Sequence, residues 1–227
     1  MPGSGDDFDQ LRDHGPEVDD IDVETRHFLL KELRGRQLFW HRIPLSGFRE
    51  VQKSGAIMPN TGQYNSTYPQ SRGSFGRSIG AVSLFDFDSR SVDEIMDQAH
   101  NWAAFFVDQG PATIVIGIDS KKLEVDKIHR DCDSTSACRI PMVEIWHKGS
   151  VKTDAFDDIL LIRGDGGFRS GAYSHFASDD LEGVVREAER LISAKESERV
   201  ERHARGVFSF PELVAMSIDI RDNKNAE

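Results

Sequence analysis

The sequence predicts an α+β domain, and two observations carry that expectation. Segments of strand and helix length follow one another as helix, strand, helix, long loop, strand, helix, then several strands before a final helix. That order lacks the regular alternation of a doubly wound sheet. At 227 residues the chain is long enough for one substantial core, and it contains no internal repeat and no linker rich enough to divide it. The expected layout is an acidic disordered tail over residues 1–20, a single domain over 21–205, and a C-terminal helix and tail over 206–227.

The tail is rich in Gly, Asp and Pro and poor in large apolar side chains, so it buries too little surface to offset chain entropy. Order begins at DIDVETRHFLLKELRGR, where Asp22 is placed to cap a helix and Gly35 to end it. QLFWHRI reads as a strand that stops at Pro44, which has no amide to give a sheet ladder. SGFREVQKSG reads as a short helix with Ser46 as its cap, Phe48 and Val51 on one face, and Gly55 as its stop. Residues 56–78 have no sustained period and form a long loop, a length that in a compact domain points to function or disorder.

IGAVSLFDF reads as a buried strand. A helix follows, with Ser91 and Glu94 as a capping box and Val92, Ile95, Met96, Ala99, Trp102, Ala103 and Phe106 on one face. After a turn at Gly110 and Pro111, TIVIGI and RIPMVEIWH are strands, residues 151–153 extend or re-enter the sheet, and DDILLIRG is a further strand ended by Gly164. GDGGFRSG reads as a mobile loop. Residues 179–194 are periodic, with Leu181, Val184, Val185, Ala188, Leu191 and Ile192 facing inward, and KESERVERHAR continues the same helix into solvent.

Charge and composition exclude several functions. There are 28 Lys and Arg against 39 Asp and Glu, and a net charge of -11 repels phosphate backbones, so bulk nucleic-acid binding is not expected. No apolar run reaches membrane-spanning length and MPGSGDDFDQ is not a signal peptide, which makes the cytoplasm the expected compartment. Cys132 and Cys138 are too few for a disulfide framework. With His129 they offer three ligands, but the spacing fits no zinc pattern, so no metal is expected. There is no P-loop, no nucleophile elbow and no HExxH helix.

What remains lies on strands. His41 and Arg42 are neighbours on the first strand and so face opposite sides of the sheet. Glu144 interrupts the apolar run IPMVEIW, where a carboxylate is costly unless it meets solvent, a partner or a ligand, and it is the leading catalytic candidate. The bland alternative is an edge carboxylate paired with Lys148 or Lys152.

FWHRIPLSGFREVQKSGAI, IGAVSLFDF and PMVEIWHKGSV together resemble the first strand and helix, the middle strand and the glutamate strand of ADP-ribosyltransferase domains. The layout is particularly similar to the DNA-targeting toxins of that group, over roughly residues 37 to 163. The resemblance implies a split mixed sheet flanked by helices and an NAD-consuming enzyme, a toxin or defence protein with a macromolecular acceptor and an antitoxin partner. It assigns His41 to the NAD ribose, Ser83 to the middle-strand position and Glu144 to the catalytic glutamate. Tyr64, Tyr68, Arg72 and Arg77, in the long loop, are placed to stack on a ring or pair with the pyrophosphate. Met142 stands where arginine-directed transferases carry a second acidic or amide residue, so protein arginine is not the implied acceptor. The two-residue enzyme reading requires His41 and Glu144 to approach across adjacent strands around a concave site, and opposite faces of the sheet would set it aside. The competing reading is a binding protein on the same scaffold.

Overall fold

The computed structural model describes residues 23–63, 75–107, 112–130, 140, 142–163 and 173–204. Its helices are α1 (Val23–Leu33), α2 (Leu45–Ser54), α3 (Phe75–Ser78), α4 (Val92–Asp97), α5 (Ala99–Val107) and α6 (Leu181–Ala204). Its strands are β1 (Leu38–Ile43), β2 (Ala56–Ile57), β3 (Ala81–Asp86), β4 (Ala112–Asp119), β5 (Ile128–His129), β6 (Glu144–Lys148), β7 (Val151–Lys152), β8 (Phe156–Arg163) and β9 (Tyr173–Ala177). Seven strands form one sheet in the order β5-β6-β3-β1-β4-β8-β9, while β2 and β7 form a separate pair. The α+β class is as the sequence indicates. The expected mixture of strand directions is not found, since every described pair is antiparallel.

Alternation along the strands divides the core in two. Leu38, Trp40, Phe85 and Leu160 point to a first face, covered by Leu29, Leu30 and Leu33 of α1, Ile95 of α4 and Trp102 and Phe106 of α5. Phe39, Leu84, Ile116 and Ile159 point to a second face, covered by Phe48 and Val51 of α2 and Val184 and Ala188 of α6. Because helices cover both faces, β4 runs Ile114, Val115, Ile116 without a polar break, each fully buried. Each such side chain contributes about 1.5–3 kcal/mol by leaving water. Gly117 lets the Trp40 ring cross β4, because a Cβ there would lie 3.0 Å from Trp40 Cζ3 and 2.9 Å from Leu38 Cδ1.

Several boundaries differ from those read in the sequence. The helix that starts at the Ser91–Glu94 capping box breaks at Gln98 into α4 and α5, and Val92 is 41% exposed, since it lies in the first turn beside the cap. Ile192, expected to face inward, is likewise exposed. Pro44 rather than Ser46 is the N-cap residue of α2 and supplies no side-chain bond, while Gly55 closes the helix in the left-handed region as expected. RIPMVEIWH is shorter as a strand, because Met142 takes φ 73° in a turn and β6 begins only at Glu144. The loop over 56–78 contains β2 and α3 at its ends. β9, with Ser174, His175 and Ala177 exposed, carried no usable pattern. The expected tail, the Gly110–Pro111 turn, GDGGFRSG, Cys132, Cys138 and the 206–227 helix lie outside the described residues. Among the described residues no helix is long and apolar enough to cross a membrane, and no group of three or more His, Cys, Asp and Glu is placed to hold a metal ion.

Candidate functional site

The site is built on three neighbouring strands, β6, β3 and β1. The β3–β6 ladder pairs Phe85 with Glu144 and Ser83 with Trp146. Glu144, Ser83 and Trp146 therefore share the first face, just beyond the apolar packing of Phe85. Glu144 is 6% exposed, and neither oxygen is left to the apolar surroundings alone. Oε1 accepts the Ser83 hydroxyl at 2.7 Å, and Oε2 accepts the Ile140 backbone N–H at 3.1 Å. The Glu144 N–H returns a bond to the Ile140 carbonyl at 3.1 Å, so the carboxylate closes the turn in which Met142 is held at positive φ. That backbone conformation costs on the order of 1–3 kcal/mol at a non-glycine residue. The burial and the Ser83 bond replace the bland expectation of an edge carboxylate paired with Lys148 or Lys152. β6 is an interior strand, flanked by β5 and β3.

β1 and β3 pair only at Phe39–Asp86 and Trp40–Phe85, and beyond those residues the ladder stops. His41 lies in this gap. Its Nδ1 is 2.8 Å from the Ser83 carbonyl. A carbonyl can only accept, so Nδ1 carries the proton and donates. Burial pushes the imidazole pKa below the ordinary 6.5, with the neighbouring Arg42 charge adding to the shift and the Ser83 carbonyl opposing it. His41 is thus neutral at pH 7, with Nε2 as an acceptor.

His41 and Glu144 do not meet across adjacent strands, because β3 stands between them. Strand alternation also sends them to opposite faces: Trp40 and Phe85 share the first face, and Ile116, directly across from His41, packs in the second. Their link is Ser83, whose carbonyl holds one and whose hydroxyl holds the other. Next after Trp40 on the Glu144 face of β1 comes Arg42, its guanidinium carbon 5.1 Å from the Phe105 ring centroid. Alternation alone made that assignment available once Glu144 was placed with Ser83.

Beside these strands, α3 packs through Gly76 onto the indole of Trp146; a Cβ at Gly76 would lie 2.0 Å from Trp146 Cε3 and Cζ3. Arg77, one of the loop residues expected near the site, is on this same helix, with Nη2 2.8 Å from where a Cβ on Gly62 would lie. Tyr64, Tyr68 and Arg72 lie outside the described residues. Trp146 stands two residues beyond Glu144 on the same strand, the spacing that puts both on one face.

The arrangement presents a buried carboxyl group, fixed in orientation by a hydroxyl and a backbone amide, beside a gap in the sheet that holds a neutral imidazole. When ionised, a carboxylate so held stabilises positive charge that develops next to it. No family model, curated protein or solved structure matches the chain.

Proposed function

We propose that the chain splits NAD at its nicotinamide–ribose bond and transfers the ADP-ribosyl group to a macromolecular acceptor. The observation that carries this reading is the Glu144 carboxylate, 6% exposed and held by Ser83 Oγ at 2.7 Å and by the Ile140 N–H at 3.1 Å. Breaking a glycosidic bond to a cationic leaving group leaves oxocarbenium character on the ribose. A carboxylate that needs no reorganisation lowers that barrier. This reading rests on Glu144 and on Ser83, whose hydroxyl holds it, and not on His41, which strand alternation sends to the other face of the sheet. The resemblance of the three strand segments to ADP-ribosyltransferases is consistent with this assignment, and it implies a toxin or defence enzyme restrained by an antitoxin.

The opposite parity of His41 and Glu144 is the observation that favours the second reading, a non-catalytic binding protein on the same scaffold. One assay separates the two. Purified protein is incubated with NAD, with and without cell extract as acceptor source, and nicotinamide release is compared with Glu144→Gln. The variant keeps the shape and removes the charge. Turnover that falls by roughly 100-fold or more supports the enzyme, on the scale of losing a preorganised electrostatic group. Absent turnover in both proteins, with extract present and no NAD binding, supports the interaction protein.

A further inference from the structure

The three tryptophans are all buried, yet they differ in one respect. Trp40 Nε1 donates to the Leu33 carbonyl at 2.7 Å, and Trp102 Nε1 donates to the Ile95 carbonyl at 2.8 Å. Trp146 is 6% exposed, and its Nε1 is buried with no acceptor among the described residues. Leaving a buried N–H unpaired is unfavourable, and phenylalanine would fill much of the same volume without it. An unpaired donor held at such a position is explained when a ligand supplies the acceptor.

Its surroundings indicate which ligand group. Trp146 lies directly across from Ser83 and two residues past Glu144, on the same face, a spacing of about 7 Å along a strand. Gly76 lies over the Cε3–Cζ3 side of the ring, away from the pyrrole edge that carries Nε1. An anionic acceptor at Nε1 would face the buried Glu144 carboxylate across that distance, with little water to screen the repulsion. A neutral carbonyl oxygen avoids it.

We propose that the Trp146 indole N–H is a ligand-binding donor, and that it takes the carboxamide oxygen of nicotinamide while Glu144 faces the attached ribose. This rests on the NAD-splitting reading and names its specificity-determining residue for the leaving group. The carboxamide stands meta to the ribosyl nitrogen, so a donor and a carboxylate two strand positions apart can engage both ends of the nicotinamide riboside unit.

The test uses the indole region of a 1H–15N spectrum of the full chain, with Trp146→Phe identifying the resonance and Trp40 and Trp102 as internal controls. Nicotinamide is expected to move the Trp146 peak downfield and leave the other two in place. Nicotinic acid, which carries a carboxylate, and pyridine, which has no carbonyl, are expected to leave all three unmoved. In turnover, Trp146→Phe raises KM for NAD about tenfold, the loss of one hydrogen bond to a neutral acceptor. An unmoved Trp146 peak in a protein that still releases nicotinamide through Glu144 overturns the Trp146 assignment and spares the reaction. An equal shift with nicotinic acid or pyridine overturns the carbonyl specificity. No shift and no release overturns both readings.

Discussion

At the scale of single residues, two histidines tie stability to pH. Burial holds His41 and His147 below the ordinary 6.5. In the unfolded chain both regain that ordinary value. As pH falls through about 6.5 the unfolded state therefore binds protons first, and stability present above that pH is lost toward the lower folded values. Urea midpoints are expected to be lower at about pH 5.5 than at about pH 7.5, with a smaller difference in His147→Gln. At His147 the effect of burial outweighs an opposing hydrogen bond to the Gly149 backbone. Equal midpoints at the two pH values would refute the coupling. Glu144 was legible at this scale, because a carboxylate in an apolar run is conspicuous; its partner Ser83 was legible only through resemblance, since a lone serine in a strand is most often an ordinary small residue.

At the scale of elements, α3 and β6 depend on the absence of one side chain. Gly76→Ala would put a methyl group 2.0 Å from two ring carbons of Trp146, and a backbone-anchored methyl cannot rotate away. The indole or the helix must shift, at a cost of about 1–3 kcal/mol. The expected result is a lower thermal midpoint together with weaker NAD turnover, because the displaced ring lies beside Ser83. A variant unchanged in both would separate α3 from the site. The helix after Ser91 shows how far periodicity reaches. The pattern of Ile95, Ala99, Trp102 and Phe106 located the buried stripe correctly, while the break at Gln98 left no mark on it.

At the scale of the whole molecule, α6 is two structures in one. Val184 and Ala188 are buried against the second face, whereas every residue from Ile192 to Glu198 is exposed. Proline at 197 would break the helix where Ser197 Oγ donates to the Ser193 carbonyl at 2.9 Å. Because residues 192–198 are exposed, Ser197→Pro is expected to lower helical circular dichroism yet change the free energy of unfolding in urea by less than about 0.5 kcal/mol. A large destabilisation would refute the independence of this segment from the core.

The amino-acid order by itself determined the class of fold, the buried stripes of the main helices and the strands β1, β3, β4 and β8, because each follows from short-range periodicity and from residues that stop a helix or a ladder. Only the tertiary structure decided that β3 lies between β1 and β6, that the β1–β3 ladder ends after Trp40, and that Ser83 joins His41 to Glu144. Those facts depend on pairing between segments tens of residues apart, and strand register is set by the packing of both faces at once rather than by any one segment.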